Sequence, residues 1–112
     1  MSRETVNTIC ASFPGAERSD PWGGGHDAWK VGGKMFASTG AVTPGVAVKT
    51  SSIEEAEHLE EMLGYPKAPY FHRSWVLIPF EAEEDALRHR IAASYDLIVA
   101  KLPKKTRDSL TD

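Results

Sequence analysis

The alternation of apolar and polar positions is clearest at Trp29–Ala37, WKVGGKMFA. A short apolar-leaning run, a Gly-Gly pair and a second such run predict two antiparallel strands joined by a tight turn. With Gly32 and Gly33 as the loop, Val31 faces Lys34, Lys30 faces Met35 and Trp29 faces Phe36. Opposed residues share a side, so Trp29, Val31 and Phe36 make one oily face with Lys34 at its rim. Ala28, Lys30, Met35 and Ala37 make a thinner second face, predicted to stay partly open to water. A type II turn at Thr43-Pro44-Gly45-Val46, where proline sets φ and glycine supplies a positive φ, leads into a third strand that ends at Thr50. Ala28–Thr50 therefore reads as a three-stranded antiparallel meander.

Helical periodicity brackets this meander. Val6, Ile9, Cys10 and Phe13 recur at helical spacing after a capping Ser2, and Pro14-Gly15 stops that helix. Cys10 lies within the apolar stripe, which marks a packed thiol rather than a nucleophile. Ala16–Ser19 is a short edge strand, followed by Pro21-Trp22-Gly23 and a glycine run to Gly25. Ser51 and Ser52 each precede a glutamate by three positions, Glu54 and Glu55, so either opens a second helix as a capping box. Ile53, Ala56, Leu59 and Leu63 form its inner side, and Gly64 ends it. Its outer side carries Glu54, Glu55, Glu57, Glu60 and Glu61 with no base among them.

Tyr65–Pro69 is a proline-punctuated loop, and Tyr70–Phe80 the longest strand candidate. Four consecutive apolar residues, Trp75 to Ile78, predict an interior strand covered on both faces. Pro79 marks its end, and His72 and Arg73 fall on opposite faces near its start. Acids from Glu81 to Asp85 open the last helix, where the dipole favours them. Leu87, Ile91, Ser94, Tyr95, Ile98 and Leu102 carry its stripe, and Pro103 stops it. From Glu83 to Leu102 this helix spans roughly 30 Å, enough to cross a small sheet. Lys101, Lys104, Lys105 and Arg107 gather at its end. They are either cations beside a helix C-terminus or a phosphate-contacting patch.

The length of 112 residues suits one domain. A single cysteine excludes an internal disulfide and suits a reducing cytoplasm. No apolar run reaches the roughly 20 residues of a membrane span, and the N-terminus has no leader-like order, so no secretory signal is expected. A net charge of −3 argues against a whole surface devoted to nucleic acid but permits a local basic patch. The glycines do not make a phosphate loop: Gly40 to Gly45 has the spacing, but Val46 stands where lysine is required. His26, His58, His72 and His89 show no metal-ligand spacing, and no Gly-x-Ser-x-Gly turn is present. No catalytic residue, metal or cofactor is expected, and an enzyme is the disfavoured class.

Pro21-Trp22-Gly23, WKVGGKMFA, YFHRSWV at Tyr70–Val76 and SYDLIVAKLPKK at Ser94–Lys105, in that order and spacing, resemble the MmcQ/YjbR family. The resemblance extends over about residues 3 to 105. It implies a CyaY-like, or frataxin-like, α+β fold: an antiparallel sheet of about five strands with an N-terminal helix and a long C-terminal helix on one face. The domain is then residues 1–105, with 106–112 a polar tail. The resemblance further implies DNA binding through strand-loop wings, here the Gly32-Gly33 hairpin and the Pro44-Gly45 turn, and supplies no catalytic residues. The cations available for phosphates are Lys30, Lys34, Lys49, His72, Arg73, Lys101, Lys104 and Lys105. Four or five such contacts imply weak, salt-dependent binding of double-stranded DNA. The alternative is a protein- or small-ligand-binding module that uses an aromatic groove on the open sheet face, built from Trp22, Tyr70 and Phe71.

Overall fold

The computed structural model describes residues 3–20, 25–40, 44–69 and 71–110. Within them the chain runs α1 (Arg3–Ala11), β1 (Glu17–Ser19), β2 (Asp27–Val31), β3 (Lys34–Thr39), β4 (Gly45–Lys49), α2 (Ile53–Leu63), β5 (Trp75–Pro79), α3 (Glu84–Ala100) and α4 (Lys104–Ser109). The strands form one antiparallel sheet in the order β1-β2-β3-β4-β5. This is the α+β architecture expected. Ser2, Pro21-Trp22-Gly23, Thr43 and Tyr70 lie outside the described residues, so the cap, turn and groove roles expected of them do too.

The central hairpin turns at Gly32 and Gly33, whose φ values of 57° and 79° are both positive, as a two-residue type I′ turn requires. Val31 faces Lys34 and Lys30 faces Met35 as expected, but Trp29 faces Ala37. Phe36 is the extra residue of a β-bulge, so both Phe36 and Ala37 join the buried core instead of dividing between two faces. Ser94 of α3 explains how the bulge is tolerated. Its hydroxyl donates to the Phe36 carbonyl at 2.7 Å and accepts from the Lys49 amide at 2.9 Å. The β3–β4 ladder itself pairs only Ala37 with Val48 and Ser38 with Ala47.

All three long helices pack on the same side of the sheet. Val6, Ile9 and Cys10 of α1, Leu59 of α2 and Leu87, Ile91 and Tyr95 of α3 meet Trp29, Val31, Phe36, Val46, Val48, Val76 and Ile78 in one core. Phe13 stacks on Tyr95 at 4.8 Å, and Phe36 meets both rings edge-on. Ser52 caps α2 by accepting from the Glu55 amide at 3.0 Å, while the Glu55 carboxylate reaches back to the Ser51 amide at 2.9 Å. Gly64, left-handed at φ 71°, ends that helix.

Three further expectations change. The strand predicted from Tyr70 begins only at Trp75, because the Ser74 amide donates to Nδ1 of His72 and the Trp75 amide to the His72 carbonyl, closing a turn. β5 is the last strand of the sheet rather than an interior one. Its outer edge is covered by the bridge between Lys67 and Val76 and by the Leu77 amide donating to the Pro66 carbonyl. Gly45 opens β4 opposite Pro79, with an extended backbone rather than the left-handed corner of a type II turn. At the C-terminus a short α4 follows α3, and Leu110 packs against the core.

The second sheet face is less open than predicted. Ala28, Ser38, Ala47 and Leu77 are all buried there, and Ala68, Phe71 and Trp75 cover the β4–β5 half. Phe71 stacks on Trp75 with ring centres 4.7 Å apart. Lys30 and Met35 remain half-buried.

Candidate nucleic-acid interface

Antiparallel connectivity sets which residues share an end of the sheet. β2 finishes, β3 starts, β4 finishes and β5 starts at the same end, and α3 also finishes there. This end collects Lys30, Lys34, Lys49, Lys101, Lys104 and Lys105, which lie far apart in sequence.

Lys30 and Lys49 lie near the ends of β2 and β4, about 10 Å apart at strand spacing. Lys30 sits opposite Glu17 of β1, so one acid lies beside it, though not within ion-pair distance. Lys49 donates to the Ser74 hydroxyl at 3.2 Å, and that hydroxyl also contacts Nδ1 of His72 at 2.8 Å. Burial, and then the charge of Lys101, hold the Lys49 ammonium below its ordinary pKa. That coupling puts Lys49 and Lys101 close enough to repel. Lys34 is exposed at the hairpin tip.

The tip is not a free wing. A Cβ built on Gly32 would fall 2.8 Å from Cδ1 of Leu102 and 3.1 Å from Cγ2 of Thr106. The turn therefore rests on the junction between α3 and α4, and this contact brings Lys104 and Lys105 beside it. The second expected wing, at Pro44-Gly45, lies at the opposite end of β3, about 20 Å away along six residues. The cation set at the hairpin end comes from strand ends, the Gly32-Gly33 turn and a helix C-terminus.

Two predicted contributors are diverted. Arg73 lies 3.8 Å from Glu57, and Lys104 pairs with Asp108 at 3.1 Å, both on open surface where such pairs are weak. Arg90 approaches Glu55 at 3.7 Å. The acidic side of α2 is thus partly answered by bases from β5's approach and from α3, which its own sequence does not show. Lys30, Lys34, Lys49, Lys101 and Lys105 have no acid within ion-pair distance among the described residues. Arg107 of α4, absent from the predicted set though noted in the cluster, is also exposed there.

Cys10 is buried in the core with its thiol pushed up to about 12 by desolvation. No group of three or more His, Cys, Asp or Glu side chains is placed to hold a metal among the described residues. No helix there is long and apolar enough to cross a membrane.

Comparison with known proteins agrees with this architecture. The chain superimposes on the crystal structure of Deinococcus radiodurans protein DR2400, described as a DUF419 domain, with a TM-score of 0.84. The match covers 98% of this chain and 88% of the other at 20% identity, so it bears on the fold alone. No curated protein matches the sequence. The family model for YjbR matches residues 11–97, from the end of α1 through most of α3, and the chain belongs to the YjbR family.

Proposed function

We propose that the hairpin end of this domain binds double-stranded DNA by contacting phosphates, as a non-enzymatic protein of the cytoplasm. The observation that carries the reading is the convergence of Lys30, Lys34, Lys49, Lys101 and Lys105, from separate elements, with no acid at ion-pair distance among the described residues. Holding like charges together costs free energy in the free protein; the Lys49 ammonium lies below its ordinary pKa first through burial and then through the charge of Lys101. A polyanion carrying one charge per roughly 1.7 Å of axis relieves it. The contacts are with the phosphate backbone, so binding is indifferent to sequence.

Anisotropy of a labelled duplex tests this. With five phosphate contacts the logarithmic salt slope is about −4.5, so raising salt from about 50 to 200 mM weakens binding roughly 500-fold. Lys30→Ala or Lys34→Ala each lowers the slope by about 0.9, leaving the same change of salt roughly 3.5-fold less effective. Binding absent at protein concentrations of several hundred micromolar, or unaffected by salt, would refute the reading.

A further inference from the structure

The end of the domain away from the lysines has the opposite character. Met62 and Leu63, in the last turn of α2, are 68% and 58% exposed. The sequence pattern puts Leu63 on the inner side of α2, yet it points into solvent. Beside Leu63 lies a groove of about 510 Å³. Leu63, Tyr65, Pro79, Ala82 and Ala86 line it, and Glu81 and Glu83 are the charged residues of its wall. Glu61 is exposed on the adjoining turn of α2, and no lysine or arginine lines the groove.

We propose that this groove docks a short protein segment that presents an apolar side chain flanked by lysine or arginine. The apolar floor supplies the anchor site. The acidic rim fixes the sign of the flanking charge, because an acidic segment would bring like charges together. The same rim repels nucleic acid and anionic lipid. A second copy of the chain does not complement it. Two such grooves face to face would oppose Glu81 and Glu83 with themselves, and the lysine-rich end offers no exposed large apolar side chain among the described residues. This site is independent of DNA binding, since it lies where β5 ends and α3 begins rather than where β5 begins and α3 ends.

The test is selection of a displayed random 12-residue peptide library on the immobilised full chain. The counter-selection uses the Met62→Ser/Leu63→Ser variant. Both residues are exposed, so the variant is expected to melt like the parent, which circular dichroism verifies. Enriched peptides are expected to share an aliphatic or aromatic centre flanked by basic residues. Synthetic versions should bind the parent at least 10-fold more tightly than the Met62→Ser/Leu63→Ser variant. They should also bind it more tightly than a Glu81→Lys/Glu83→Lys variant, which tests the rim without touching the floor. Enrichment of acidic or patternless peptides, or equal binding to parent and variants, would overturn the proposal. So would self-association of the parent in sedimentation that the Met62→Ser/Leu63→Ser change abolishes, because it would assign the groove to a second copy.

Discussion

Replacing Ser94 with alanine tests the relation between the bulge in β3 and the helix above it. Ser94 is completely buried and serves two backbone groups from different strands, the Phe36 carbonyl and the Lys49 amide. In a regular ladder neighbouring strands would satisfy such groups. Here the bulge at Phe36 takes the carbonyl out of register, and one hydroxyl repairs both strands at once. Alanine removes the hydroxyl and little else, since the missing oxygen leaves a hole smaller than a water molecule's share of liquid volume. Each backbone group left without a partner costs about 1–3 kcal/mol. The Lys49 amide is the less deeply buried, so the sum for Ser94→Ala is about 2–4 kcal/mol. A domain of this size has a total stability of about 5–15 kcal/mol, so the loss is a large share of it. Urea unfolding followed by tryptophan fluorescence should show a lower midpoint with an unchanged slope, and the melting temperature should fall by about 10 °C. Ser12→Ala is the control, because Ser12 Oγ bonds only the nearby Ile9 carbonyl at the exposed end of α1. If Ser94→Ala costs no more than Ser12→Ala, the hydroxyl is not what holds the bulge.

Two further perturbations follow from the same structure. Gly32 and Gly33 both have positive φ, so alanine at either carries a conformational penalty of about 1 kcal/mol. Only Gly32 packs against Leu102 and Thr106, and a Cβ at Gly33 meets nothing within 4 Å. Denaturant melts should therefore rank Gly32→Ala as the more destabilising, and equal losses would mean that the tip is not seated on the α3–α4 junction. The Cys10 thiol, raised from 9.0 to about 12, gives a pH signature. Because the folded value lies above the unfolded one, this contribution is fully present below pH 9 and is lost as pH rises toward 12. The difference in stability between the parent and Cys10→Ala should therefore drift against the parent across that window, and a constant difference would contradict it. In the native state the same thiol should react with a disulfide reagent only as fast as the chain opens.

How much of this was legible in the chain depends on distance along it. The hairpin turn, the capping box at Ser52 and the stop at Gly64 are short-range, and each was readable because its physics is completed within a few residues. The register beyond Lys30 was not, because the bulge at Phe36 depends on a hydroxyl 58 residues away. Ser94 was visible as a member of a helical stripe, but nothing local marks it as a bridge between strands. The glutamates of α2 looked uncompensated for the same reason, since Arg73 and Arg90 approach them from other elements. Leu63 was assigned inward by spacing alone, whereas the chain reverses at Gly64 and leaves that last turn without a sheet beneath it. Each lysine of the candidate site could be named from the sequence, but their common location required the order of the strands. That order also puts the two expected wings at opposite ends of β3.

The same topology resolves an apparent conflict between an acidic protein and a proposed polyanion site. A net charge of −3 governs behaviour only at separations where the molecule is felt as a point. At physiological salt, fields between exposed charges decay over about 8 Å. β5 alone spans about 17 Å from the lysine end to the start of the acidic groove, two screening lengths, and the domain measures 38 × 31 × 26 Å. A phosphate approaching Lys34 therefore responds to the nearby lysines and to Glu17, and scarcely to Glu81 or Glu83. As salt is lowered toward 10 mM the screening length rises to about 30 Å and the two ends begin to be felt together. The gain in DNA affinity on dilution should then fall below the straight logarithmic line, and Glu81→Lys/Glu83→Lys should restore the line without changing affinity at 150 mM. A substitution at the acidic end that altered DNA binding equally at both salts would show that the ends are not electrically separate.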